Sequence, residues 1–99
     1  MSSSNYRISK EAIKDLNSIW TYTFQKWSKA QADSYYQTII SEFQYISDNF
    51  LIGKSVENTR KNYRVLKVKS HLIFYRKIDD NIVEIVRILH QQMDSKKRL

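Results

Sequence analysis

Ninety-nine residues, 41% of them hydrophobic, can bury one core and no more, so residues 1–99 are read as a single domain. The absence of cysteine excludes disulfide frameworks, thiol nucleophiles and thiolate zinc sites, and it fits a reducing compartment. No run of roughly 18 apolar residues, the length of a membrane span, is present, and residues 1–9 hold no apolar signal core, so a cytoplasmic location is expected. The net charge of +7 is unevenly spread. Residues 1–50 carry five basic and five acidic side chains, whereas residues 51–99 carry twelve against five. A surface of that sign attracts nucleic acid or an acidic protein segment.

In chain order, Tyr6 to Ile8 reads as a short leading strand. Ser9 is placed to cap a helix, with Glu11 and Asp15 early in it, where the dipole favours negative charge. Ala12, Leu16, Ile19, Trp20, Phe24 and Trp27 recur at helical spacing and predict an amphipathic helix of about five turns. Ser28 and Gln31 match a capping box and open a second helix with the stripe Ala32, Tyr35, Tyr36, Ile39, Ile40, Phe43, Ile46 and Phe50. So few residues separate the two stripes that the helices, over about residues 9–50, must fold back as an antiparallel hairpin in need of a sheet. The connection from Leu51 to Asn62 holds the only glycine, Gly53, and reads as an ordered surface loop.

Three runs rich in Val, Ile, Leu, Tyr and Phe then predict strands: Tyr63 to Val68, His71 to Ile78 and Ile82 to Leu89. Lys69 and Ser70 form the first break. Asp79 to Asn81 form the second, and both breaks are turn-sized, so an antiparallel meander is expected over about residues 63–89, followed by a tail at 90–99. The fold class is therefore α+β, an N-terminal helical hairpin packed on a small antiparallel sheet with a short first strand. The register at the second turn is open. A three-residue turn sets Arg76 opposite Glu84, and a two-residue turn puts Arg76 on the face of Arg87.

Signatures of common chemistry are missing: no glycine-rich phosphate loop, no helical HExxH and no nucleophile elbow occur. No cofactor or metal site is expected. His71 reads as an exposed strand-end residue and His90 as a residue closing the edge of the structure. Arg64, Arg76 and Arg87 sit among aliphatic residues, where a guanidinium needs a carboxylate partner or an anionic ligand. Trp20, Phe24, Trp27, Tyr35 and Tyr36 lie on the helical stripes and read first as core, with any uncovered remainder left for a protein partner.

Four pieces stand in order in the second half: Ile52-Gly53-Lys54-Ser55; Tyr63-Arg64; Ser70-His71-Leu72-Ile73-Phe74-Tyr75-Arg76; and Ile85-Val86-Arg87-Ile88-Leu89-His90 with Met93-Asp94. With the helical hairpin ahead of them, they resemble the RelE/ParE superfamily of bacterial toxin-antitoxin toxins, and its ParE branch in particular. The resemblance implies a toxin neutralised by a cognate acidic ParD-like antitoxin and poisoning DNA gyrase by binding, without a reaction of its own, with no membrane partner and no direct nucleic-acid specificity. It implies a target-binding set of Arg60, Lys61, Arg64, Lys67, Lys69, Arg87, His90, Lys96, Lys97 and Arg98. It also implies an antitoxin-binding set of Trp20, Trp27, Tyr35, Tyr36, Ile39 and Phe43.

Two alternatives go with it. A RelE-like ribosome-dependent mRNA endonuclease would use His90, with Arg87 and Lys67 stabilising charge on phosphate. A relative that has lost its toxicity would only bind. Leu72-Ile73-Phe74 is apolar where RelE-type nucleases tend to place an arginine, Lys69 stands where the family commonly has glycine, and Gln91 and Gln92 stand where basic residues are frequent.

Overall fold

A computed structural model describes residues 5–56, residues 62–92 and Leu99. The elements are β1 (Tyr6–Ile8), α1 (Lys10–Lys26), α2 (Lys29–Asp48), a 3-10 turn (Phe50–Ile52), β2 (Lys54–Ser55), β3 (Tyr63–Val68), β4 (His71–Asp79) and β5 (Ile82–His90). The caps form where the sequence places them. Ser9 Oγ accepts from the Ala12 N–H at 3.0 Å and donates to the Val86 carbonyl at 2.7 Å, tying the start of α1 to β5. Ser28 Oγ accepts from the Gln31 N–H at 3.1 Å.

The sheet differs from the expected antiparallel one in two respects. Its order is β1-β5-β4-β3-β2, and β1 pairs parallel to β5, with Tyr6 opposite Val83, which makes the sheet mixed. A parallel pair needs a long crossover, and the entire chain from α1 to β4 supplies it. The predicted loop also contributes an edge strand, because Lys54 and Ser55 pair antiparallel with Val65 and Arg64.

Both helices lie on one face of the sheet. Ala12, Leu16 and Ile19 of α1 and Ile39, Phe43 and Ile46 of α2 meet Val68, Ile73, Tyr75, Val83, Ile85 and Ile88 in one buried cluster. The α1 stripe leaves the sheet near its C-terminal end. Trp20 is half-buried, while Phe24 and Trp27 are exposed, Trp27 at 68%. Trp20 stacks on Phe24 with ring centroids 5.2 Å apart and donates from Nε1 to Asp33 at 2.9 Å, so the overhanging aromatics are held between the helices.

At the second turn, Asp79 pairs with Ile82 and the turn proper is Asp80-Asn81, yet Arg76 still faces Glu84. A bulge between Lys77 and Asp79 absorbs the extra residue, so the short turn and the ion pair coexist. Asp79 Oδ1 accepts from the Asn81 and Ile82 N–H groups at 2.8 and 3.1 Å, which fixes the turn. Arg76 reaches Glu84 at 2.9 Å and Arg7 reaches it at 3.5 Å, so Arg76 is structural.

In the first turn Lys69 takes φ 56, a left-handed conformation that costs a non-glycine residue about 1 kcal/mol. Lys69→Gly is therefore expected to stabilise the fold by somewhat less than that, because the unfolded chain gains freedom too. A small rise in the urea midpoint would register it.

Candidate functional site

A pocket of about 610 Å³ opens where the overhanging end of α1, the first turns of α2 and the Ser70-His71 end of the sheet converge. Its walls are Ile19, Tyr22, Thr23, Trp27, Gln31 and Tyr35, with Ser70, His71 and His90 at the sheet side. His71 and His90 are directly opposite each other on β4 and β5, their rings edge to face with centroids 5.3 Å apart. Tyr35 Oη lies 2.6 Å from His71 Nδ1 and 3.3 Å from Ser70 Oγ. His90 Nδ1 accepts from the Gln92 N–H at 3.1 Å. The pocket thus joins aromatic walls to a small set of convergent polar groups, the usual makeup of a recognition site.

His71 is not the exposed strand-end residue that its position in sequence suggests. Burial, reinforced by the neighbouring His90, lowers its pKa to about 4, so its ring is neutral at physiological pH. In the unfolded chain the same ring protonates near its ordinary value of 6.5. Because the folded pKa is the lower one, the unfolded state takes up more protons as pH falls from 6.5 towards 4, and stability declines through that window. His71→Gln is expected to flatten that part of the decline, read as urea midpoints at pH 7, 5.5 and 4.5.

Among the described residues, the cations expected to meet a target are not all surface charges. Arg87 makes a two-point contact with Asp15 of α1, at 2.8 Å from Nε and 2.9 Å from a terminal nitrogen, and the Asp15 carboxylate also accepts the Ile88 N–H at 2.9 Å. That hydrogen bonding raises the Arg87 pKa. Only 20% of the Arg87 side chain and 13% of Asp15 are exposed. Past Ile85, where β1 ends, Ser9 and Asp15 bind the edge of β5 in place of another strand.

Arg64 is also internal in role. Its Nε and one terminal nitrogen donate to the Gly53 carbonyl at 3.0 and 2.8 Å, pinning the loop to β3. The expectation that Arg64 and Arg87 present charge to a target is corrected accordingly: each guanidinium is spent on its own fold. Lys67 and Lys69 are exposed. Arg60, Lys61, Lys96, Lys97 and Arg98 lie outside the described residues.

Nor are the three residues of the nuclease alternative brought together. Lys67 sits opposite Leu72 and Leu89, whereas His90 aligns with His71 and the buried Val68 on the helix-covered face, so alternation along the strands puts them on opposite sides. Arg87 is held by Asp15. Among the described residues no group of three His, Asp or Glu side chains is placed to hold a metal.

The antitoxin set divides as well. Trp27 and Tyr35 line the pocket, Trp20 and Tyr36 flank a shallow groove on the other side of the hairpin, and Ile39 and Phe43 are completely buried. The last two face the sheet, since α2 must cover it, and they are core residues and not part of any docking face. Tyr22 and Thr23 are pocket residues without a signal in the sequence, because the pocket exists only where α1 outruns the sheet.

Residues 6–95 match the family described as "ParE toxin of type II toxin-antitoxin system, parDE". The chain belongs to the ParE toxin family. It is 38% identical over 94 residues to Toxin ParE1 of Caulobacter vibrioides, covering 95% of this chain and 96% of that one. It is 34% identical over 97 residues to Toxin ParE1 of Mycobacterium tuberculosis, covering 98% and 99%. In fold it is similar to a chain of the solved "Chromosomal ParDE TA system from P. aeruginosa", with a TM-score of 0.76 at 18% identity, covering 88% of this chain and 95% of that one.

The motifs shared with the ParE branch acquire physical roles here. Ile52-Gly53-Lys54-Ser55 is the end of the 3-10 turn and β2, Arg64 anchors it, and the Ser70-to-Arg76 piece supplies both the pocket floor and the Tyr75 core hydroxyl. In this ParE-family chain much of the motif set builds the frame on which the exposed surfaces are mounted.

Proposed function

We propose that this chain is the toxin of a ParDE-type pair, that an acidic ParD-like antitoxin segment neutralises it by seating on the pocket and the aromatic end of the helical hairpin, and that the toxin acts by binding DNA gyrase without an enzymatic step. Membership of the ParE family is the observation that carries this reading. Two features of the site support it. The separation of His90, Arg87 and Lys67 leaves no assembled constellation for phosphodiester cleavage among the described residues, since general acid-base work needs groups within reach of one reacting atom. Exposed Tyr22 and Trp27 beside the pocket supply an aromatic anchor of the kind that concentrates binding energy.

Trp27→Ala is expected to weaken antitoxin binding at least tenfold while changing thermal stability little, because most of the ring is already in solvent. Titration of the antitoxin against both proteins, with a thermal melt of each, checks it. The activity reading is tested by expressing the chain without its antitoxin. DNA-damage response and filamentation are expected; arrest of protein synthesis with cleaved messages would instead favour the RelE-like endonuclease, and harmless expression a binding-only relative.

A further inference from the structure

The 3-10 turn after α2 is tied down at several backbone groups. Tyr75 Oη donates to the Phe50 carbonyl at 2.7 Å and accepts from the Gly53 N–H at 2.8 Å, and the Ile52 N–H donates to the Asn49 carbonyl at 2.8 Å. Arg64 closes the far side on the Gly53 carbonyl. The Phe50 ring turns inward, edge-on to Tyr75 with centroids 5.5 Å apart, and the Lys77 ammonium sits 4.8 Å from its centre.

The consequence is that Leu51 and Ile52 are pushed outward on a fixed backbone, 74% and 45% exposed. Covering them against a partner would be favourable, because folding leaves most of Leu51 and nearly half of Ile52 in water. Lys54, two residues after Ile52, is exposed, and so is Lys77, whose ammonium lies over the neighbouring Phe50 ring. The nearest acid in sequence, Asp48, is bonded to Gln44. A rigid aliphatic pair with a cationic border complements an apolar cleft rimmed by acidic side chains, and a fixed backbone loses little entropy on docking. Two adjacent aliphatic residues are too few for stable membrane insertion, and they offer neither a stacking ring nor a base-reading group to nucleic acid.

We propose that the Leu51-Ile52 turn is the prong by which this toxin engages an acidic surface of its protein target, on a part of the molecule separate from the antitoxin pocket. It rests on the gyrase reading above. The Tyr75 end of β4, which carries the prong, is four residues, about 13 Å, along the strand from the His71 end, which carries the pocket.

The test compares the unaltered chain with a Leu51→Ser, Ile52→Ser double variant in a gyrase supercoiling assay. The concentration for half-inhibition is expected to rise at least tenfold, with no fall in the thermal midpoint. A Lys54→Glu, Lys77→Glu variant, which leaves the aliphatic pair in place, is expected to weaken inhibition and reduce its salt sensitivity. If both folded variants inhibit as well as the unaltered chain, the prong is not the contact and the gyrase reading survives. If the unaltered chain leaves gyrase untouched at large excess, the gyrase reading falls and takes the prong proposal with it.

Discussion

Asp15→Ala is expected to destabilise the fold by about 3 kcal/mol, the scale of breaking a largely buried ion pair by removing one partner. The carboxylate holds the Arg87 guanidinium at two points and also takes the Ile88 N–H, on the edge of β5 away from β4 and past the end of β1. Its loss takes the two-point carboxylate contact from a largely buried guanidinium and leaves the Ile88 N–H unsatisfied. For a domain of this size the loss corresponds to a fall of about 12–20 °C in melting temperature. Adding Arg87→Met to the Asp15→Ala background is expected to recover part of the stability, because the guanidinium that has lost its carboxylate contact is removed with it. Urea unfolding of the two single variants and the double variant measures this, and additive losses would show that the two side chains do not act as a pair.

Gly53→Ala is expected to cost as much, about 3 kcal/mol of overpacking and lost hydrogen bonding. The reason is contact and not conformation. Gly53 has the ordinary extended φ of −80, but a Cβ there would stand 2.3 Å from Tyr75 Oη and 2.7 Å from the Val65 carbonyl oxygen. The tyrosine is fully buried and cannot swing away, and Val65 belongs to β3. Tyr75→Phe removes one obstacle along with two hydrogen bonds, at about 1–3 kcal/mol. In the combined variant the losses are expected to sum to less than their total, since the phenol is what the new methyl strikes first. Differential scanning calorimetry of the three variants reads the coupling. The same variants loosen the backbone behind Leu51 and Ile52, so their effect on target inhibition is expected to exceed what their folded fraction accounts for.

The elements most plainly written in the sequence are those fixed by neighbours in the chain. The Ser9 and Ser28 caps, the two amphipathic helices and the three long strands all follow from residues within a turn or a hairpin of each other. What the sequence concealed involves partners far apart. The parallel pairing of Tyr6 to Ile8 with Val83 to Ile85 joins opposite ends of the chain and has no turn to announce it. That Arg87 needs a partner is legible from its aliphatic neighbours, but Asp15, placed only by the docking of α1 on β5, is not recognisable as that partner.

The pocket is hidden for a related reason. Periodicity shows that Phe24 and Trp27 lie on the apolar stripe, but not that the sheet stops before reaching them. The turn register shows a further limit: the two-residue turn and the Arg76–Glu84 pair appear exclusive on alternation alone, and a one-residue bulge reconciles them. Among the described residues, the basic side chains of the second half likewise do not add up to one charged face, because each strand alternates and Arg64, Arg76 and Arg87 are consumed inside the fold.

The most direct measurement is DNA gyrase on relaxed plasmid, with ATP, titrated with the purified toxin, followed by detergent and protease to reveal trapped breaks. The account predicts loss of supercoiling together with accumulation of linear, protein-linked DNA, both suppressed when antitoxin is added first. Unimpaired supercoiling at a large molar excess of toxin, alongside cleavage of ribosome-bound message by the same preparation, would contradict it.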